Sequence, residues 1–246
     1  MSSKPDINDY GRMANFMYQM HHGHIVVTVE GRPYLLDTGS PFSVGYEPIN
    51  IGGRSFEVQQ SYMGVTCGYL MENIGVPIEG MIGADIMQEF TVCMYASERM
   101  IQFTHLPPVG DIVIPLQDFM GVPIFCVQVA GQVRRMFFDT GAPMSYLLPQ
   151  CLADKEAEGR HEDFYPLVGN FMTSVYALDV NIGGSSRKLR FGELPHELEA
   201  LLEAGAVQGI IGTEMLKHFG ICLSLKEGVM RLETPYSDQL GLRVAS

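Results

Sequence analysis

The 246-residue chain has no tryptophan, an odd five cysteines and few charges, with Asp, Glu, Lys and Arg making up 18%. The missing tryptophan excludes nothing. The shortage of cations says more: 16 Lys and Arg stand against 28 Asp and Glu, a net charge of −12. Such a chain lacks the basic face that a phosphate backbone needs, so no nucleic acid is expected as a partner. Residues 1–11 are polar and lack the apolar centre of a secretory signal. No apolar run is long enough to span a bilayer, so no membrane association is expected. The cysteines include no close pairs, which points to reduced thiols and a cytoplasmic address. Cys93 and Cys222 lie in apolar, strand-like runs and are expected to be buried structural thiols, with nothing beside them to lower a thiol pKa. His21, His22 and His24 have no acidic or thiol partner at ligand spacing. That is a poor zinc pattern, so neither metal nor cofactor is expected, and the imidazoles read as exposed groups at a strand entrance.

What is present is ample apolar material, 46% of residues, with 27 Gly and 14 Pro spread along the chain. This suits many short strands joined by turns. Residues 1–20 read as an irregular leader with a strand near Phe16. The β-branched alternation of 24–30, the Gly31-Arg32 turn and 33–36 form a hairpin ending on Asp37. After Gly52-Gly53, residues 54–63 and 69–74 read as a second hairpin turning at 64–68, with Tyr62 and Tyr69 beside its tip. Pro107-Pro108 breaks the composition and marks a boundary, giving an N-terminal lobe at 21–108 and a C-terminal lobe at 109–246. In the second, 165–169 and 171–182 read as a hairpin turning at Gly169-Asn170. Residues 194–204 are the clearest helix, with Leu198, Leu201 and Leu202 at helical spacing and Gly205 as its stop.

The two lobes are copies. Gly83 and Gly212, Phe90 and Phe219, Cys93 and Cys222, and Glu98 and Glu227 are each separated by 129 positions. The phrases Leu35-Leu36-Asp37-Thr38-Gly39-Ser40 and Phe137-Phe138-Asp139-Thr140-Gly141-Ala142 are separated by 102. The second copy therefore carries 129 − 102 = 27 extra residues between its aspartate and its Ile-Gly. So many matches in one order mark an internal duplication. One Asp-Thr-Gly can be a turn in which the carboxylate binds backbone N–H groups. Two matched copies in a duplicated β chain point instead to carboxylates that work together.

Two Asp-Thr-Gly phrases, each followed by Ile-Gly and a short helix (Ile82-Gly83, Ile211-Gly212), resemble the pepsin and retropepsin aspartic peptidases over most of the chain, from His24 to Glu233. The resemblance implies a mainly β, two-lobed pepsin-like acid-protease β-barrel fold with internal pseudo-twofold symmetry and a few short helices. It implies that Asp37 and Asp139 meet, share a proton and activate a water against a peptide bond, as paired carboxylates do in aspartic proteases. It assigns Thr38 and Thr140 to cross-bonding between lobes, Gly39 and Gly141 to close backbone approach, and Tyr62 or Tyr69 to a substrate-covering flap. The implied activity is that of an aspartic endopeptidase acting on an extended peptide or protein, with a monomer sufficient because both halves lie in one chain. A catalytically silent peptide-binding module and a self-processing regulatory protein are the alternatives. The chain departs from pepsins in its shortness and in lacking disulfide pairs and the Trp after the first catalytic loop. Ser40 and Ala142 differ between the copies. A Ser40 hydroxyl donating to its carboxylate, with no counterpart at Ala142, would leave Asp139 the stronger proton holder and extend activity towards neutral pH.

Overall fold

In the computed structural model, residues 13–166 and 168–234 are described. Most of the expected leader, 1–12, and the last twelve residues of the C-terminal lobe lie outside them. Two sheets carry the fold. One has ten strands in the order Ile112–Pro115, Val229–Glu233, Gly220–Ser224, Thr91–Tyr95, Met100–Thr104, Ala14–His21, His24–Val29, Arg32–Leu36, Gly80–Ile82 and Val44–Gly45. The other has eight, in the order Gln117–Phe119, Val122–Val129, Gln132–Phe138, Gly209–Ile211, Ser145–Leu147, Ser185–Glu193, Gly169–Ile182 and Gly159–Tyr165. The leader reading stops short at residue 14, because Ala14–His21 pairs with Met100–Thr104 and with His24–Val29 as a full member of the first sheet.

The duplication is visible in the pairing. Arg32–Leu36 runs parallel to Gly80–Ile82 with Leu36 opposite Ile82, and Gln132–Phe138 runs parallel to Gly209–Ile211 with Phe138 opposite Ile211. The lobes join where Thr91–Tyr95 pairs antiparallel with Gly220–Ser224. There Cys93 faces its own copy, Cys222, so the pseudo-twofold axis passes between them, and the two are joined as a disulfide. This corrects the reading of both as free thiols. A separation of 129 residues hides the pair in the sequence, and the symmetry of the duplicated fold superposes it on the axis. The disulfide also removes the thiol-based ground for a reducing compartment. Cys67, Cys126 and Cys151 are free thiols. Among the described residues, no helix is long and apolar enough to cross a membrane.

Two helices depart from, or refine, the sequence reading. Residues 69–74 are not the second arm of a hairpin but part of helix α1, Cys67–Ile74. The Thr66 hydroxyl accepts the Tyr69 N–H at its start, and Gly75, at φ 78°, closes its end by donating to the Met71 carbonyl. Cys67, Leu70 and Ile74 form its buried face. Local capping and i, i+4 burial outweigh the β propensity of a short run. The lobe-one hairpin is correspondingly small, Ser61–Tyr62 against Val65–Thr66. Helix α2 is the four-residue turn Ala84–Met87, whose copy at Thr213–Lys217 is a 3-10 turn. Helix α3, His196–Ala204, buries Leu198 and Leu202. In the second lobe the long hairpin pairs Gly159–Tyr165 with Gly169–Ile182, earlier in the chain than expected. Pro166 has no N–H to continue the ladder, and Gly169 at φ 84° admits the turn.

Two apolar clusters flank the centre symmetrically. In lobe one, Leu35 and Met81 pack with Leu70 and Ile74 of α1. In lobe two, Phe137 and Ile210 pack with Leu198 and Leu202 of α3. Each aspartate thus sits at the end of a strand held in a packed layer, and each lobe adds a helix beside it.

Candidate active site

Each aspartate follows the last residue of a central strand, where the chain leaves the sheet. Its own N–H still donates inwards, Asp37 to the Ile82 carbonyl and Asp139 to the Ile211 carbonyl, both at 3.0 Å. The side chains are then turned towards the lobe junction. Asp37 Oδ1 accepts N–H groups from Gly39 at 2.8 Å and Ser40 at 3.1 Å, and Asp139 Oδ1 accepts that of Gly141 at 2.8 Å. The two carboxyls face each other across the junction, each beside the glycine of the opposite copy.

The threonines cross the junction. Thr38 Oγ1 accepts the Thr140 N–H at 2.9 Å and donates to the Phe138 carbonyl at 2.7 Å. Reciprocally, Thr140 Oγ1 accepts the Thr38 N–H at 3.0 Å and donates to the Leu36 carbonyl at 2.8 Å. Both threonines are fully buried. The glycines leave room for the opposite acid. A Cβ on Gly39 would lie 2.3 Å from Asp139 Cγ, and one on Gly141 would lie 2.6 Å from Asp37 Cγ. Gly39→Ala should therefore push the carboxyls apart and lower any peptide hydrolysis at the pair by about 10²-fold in kcat/KM, the scale of an ångström-sized misplacement. A variant with wild-type kcat/KM and an unchanged melting curve would show that the carboxyls do not face each other in this way.

A second tier was missed by the sequence reading. The Ser43 hydroxyl accepts the Gly83 N–H at 2.8 Å, and the Ser145 hydroxyl accepts that of Gly212 at 3.2 Å. The serines are separated by 145 − 43 = 102 positions, as the aspartates are. The repeat offset itself was the signal that could have found them. Gly83 and Gly212 pass close behind the aspartate loops, where a Cβ would meet the Phe42 carbonyl carbon at 2.7 Å or the Ala142 carbonyl oxygen at 2.4 Å.

The Ser40 expectation needs correction. Its hydroxyl donates to the Phe42 carbonyl at 2.8 Å, not to a carboxylate, because the turn brings that oxygen closer. Backbone groups alone reach the aspartates, so Ser40 and Ala142 create no donor asymmetry. Both carboxyls are held above the usual carboxylate range. Burial and the negative charge of Asp139 push Asp37 well above it. Burial also raises Asp139, opposed by hydrogen bonds from the Gly141, Ala142 and Gly39 backbone that favour its charged form.

The carboxyls open into a cavity of about 340 Å³. Its lobe-one wall includes Leu35, Leu70, Ile74 and Met81, and its lobe-two wall Phe137, Leu198, Leu202 and Ile210. Tyr62 lines it, with its ring 5.1 Å from that of Phe42. Tyr69 is not among the lining residues and lies on α1 instead. Tyr165, on the lobe-two hairpin, does line the cavity. His24 is buried rather than exposed, packed by the Gly141 backbone, and burial lowers its pKa.

No protein-family model and no curated protein sequence matches the chain. Solved structures do. Basic 7S globulin from soybean matches with a TM-score of 0.50 at 10% identity, over 93% of this chain and 96% of that one. The chain has the two-lobed pepsin-like fold. A retropepsin-like aspartic protease from Rickettsia conorii is also similar, with a TM-score of 0.37 at 16% identity, over 52% of this chain and 95% of that one. So is EIAV protease complexed with the inhibitor HBY-793, with a TM-score of 0.29 at 19% identity, over 39% of this chain and 86% of that one. In the pepsin-like fold of this chain, the equivalent ends of the two parallel strand pairs meet at the axis, and that meeting brings Asp37 and Asp139 together.

Proposed function

We propose that the chain is an aspartic endopeptidase that hydrolyses peptide bonds with a water activated between Asp37 and Asp139. The observation that supports this most is the carboxyl pair itself, facing each other at the wall of an apolar cavity, with Asp139 only 5% exposed. Two such groups cannot both ionise cheaply, so the pair keeps one proton. Burial raises both carboxyls, and the single proton is shared across the pair.

The chemistry follows from that shared proton. The ionised carboxylate takes a proton from the water as the water oxygen bonds to the scissile carbonyl carbon. The protonated carboxyl gives its proton to the carbonyl oxygen, producing a neutral tetrahedral diol. A diol proton then returns to the carboxyl that protonated the carbonyl, the C–N bond breaks, and the nitrogen leaves with the proton taken from the water. No covalent intermediate forms. The substrate is an extended peptide or unfolded protein laid across the cavity, with apolar side chains in the two flanking clusters.

The active form holds one proton, and burial and mutual repulsion hold it to higher pH. Activity should fall as pH rises far enough to remove the shared proton, and again at low pH as the second carboxyl protonates. The pH profile of kcat should therefore peak above the free-carboxyl reference of about 4. A maximum below about pH 3 would contradict the raised pair.

A second reading has one observation in its favour. One solved chain that matches over nearly the whole length is named as a globulin. Under this reading the cavity binds peptides without cutting them. Purified protein incubated with an unfolded protein and a peptide library, with and without pepstatin, separates the two. Pepstatin-sensitive cleavage supports the peptidase. Binding without cleavage supports the module, and cleavage confined to the chain's own N-terminal segment supports self-processing.

A further inference from the structure

Two aromatic residues outside the catalytic loops connect the lobes in a way the duplication does not predict. The lobe-two hairpin, Gly159–Tyr165 with Gly169–Ile182, brings Tyr165 to the cavity that Asp37 and Asp139 line. The first arm of this hairpin is tied to its own lobe by the Tyr146 hydroxyl, which donates to Asp163. Its tip is tied to the other lobe. Tyr69 of α1 donates its hydroxyl to the Pro166 carbonyl at 2.8 Å, and its ring lies 5.7 Å from that of Phe164. Lobe one has only the two-residue-armed hairpin at Ser61–Tyr62 and Val65–Thr66 in the matching place. That hairpin makes no such bond across the cleft among the described residues.

Resting on the peptidase reading, we infer that the lobe-two hairpin is the substrate-covering element, that Tyr165 is the aromatic that positions a peptide over the dyad, and that Tyr69 is the latch that seats it from lobe one. The sequence reading gave the covering role to Tyr62 or Tyr69 in lobe one. Helix α1 occupies the ground where a longer lobe-one hairpin would stand, and it offers Tyr69 to the hairpin from the other side. The closed arrangement encloses the cavity from both lobes. A peptide must enter by breaking one hydroxyl-to-carbonyl bond and separating one pair of rings. The contact is therefore small enough to open and directional enough to return Tyr165 to the same position.

The test reads the latch and the positioning residue separately. Backbone amide exchange is measured over 162–172 in wild type, Tyr69→Phe and Tyr69→Ala. Phe keeps the ring and loses the bond, so exchange should quicken by about 5-fold, and Ala should quicken it further, with little change in the melting temperature of Tyr69→Phe. Unchanged exchange over 162–172, with loosening confined to 67–74, would overturn the latch and make Tyr69 only an anchor for its own helix. In the peptide assay, Tyr165→Ala should lower kcat/KM by about 10²-fold and Tyr165→Phe should restore most of it. An unaffected Tyr165→Ala would overturn the positioning role. Amide exchange needs no turnover. A wild type that cuts nothing but shows the Tyr69 effect would thus refute the peptidase and leave the latch standing.

Discussion

Asp37→Asn and Asp139→Asn should each lower peptide hydrolysis by about 10⁴-fold, the combined scale of a lost general acid or base and a lost oxyanion donor. The same substitutions should make the protein more stable at neutral pH. The sign follows from the proton count. The unfolded chain holds its aspartates near the ordinary carboxylate value, whereas burial and mutual repulsion raise Asp37 in the folded state. Between those two values the native state binds more protons, so stability falls as pH rises through the folded pKa of Asp37. Asparagine carries no charge to bury, and its amide can occupy the place of the protonated acid. Melting temperature should rise in Asp37→Asn at pH 7 and approach that of wild type at pH 3, where the wild-type pair is already protonated. The gain should amount to several degrees, since each kcal/mol moves the midpoint by about 2–4 °C in a chain of this size. Thermal melts of both variants at the two pH values check this. Cleavage surviving either substitution would reject the dyad, and equal melting shifts at both pH values would reject the buried charge.

Thr38→Val and Thr140→Val should be among the most destabilising single substitutions that leave volume unchanged. Each hydroxyl serves the opposite lobe twice, as acceptor and as donor. Removing that of Thr38 leaves the Thr140 N–H and the Phe138 carbonyl without those partners. Both belong to buried residues. An orphaned buried group costs about 1–3 kcal/mol, so the two together cost about 2–6 kcal/mol, or about 4–24 °C in melting temperature. Activity should fall with it, because these bonds hold the two aspartate loops in register. Serine keeps the hydroxyl and should restore most of both. Denaturant titration and kcat/KM of the Val and Ser pair provide the measurement. A Val variant within about 1 kcal/mol of wild type, below the cost of a single orphaned group, would mean the grip is not needed.

Much of the site was legible because it is written twice. Asp-Thr-Gly, Ile-Gly and the β-branched strands before them are local patterns, and their constant offsets disclosed two copies of one unit. Ser43 and Ser145 obey the same offset and could have been found by it. The copies differ where the offset changes, and there the reading failed. Residues 69–74 alternate weakly enough to suit a strand, but Thr66, Gly75 and the burial of Leu70 and Ile74 make them a helix. The long lobe-two hairpin shifted because Pro166 ends its first arm early. Cys93 and Cys222 read as separate thiols, although the 129-residue offset of Gly83 and Gly212 marks them as copies. Copies become neighbours only if they lie on the symmetry axis, and the location of the axis is a property of the folded chain.

By itself the sequence determined the β character, the duplication and the two aspartates at the ends of matched strands. These follow from side-chain periodicity and turn chemistry, which act over a few residues. Only the tertiary structure decided the rest: the disulfide on the axis, the Ser40 hydroxyl on the Phe42 carbonyl, the raised proton affinity of the buried carboxyl pair, and Tyr69 on the lobe-two hairpin. Each depends on distances between groups far apart in sequence, or on a competition between nearby acceptors that the folded turn resolves. Burial and proximity set those energies, and neither is defined until the two halves have packed against each other.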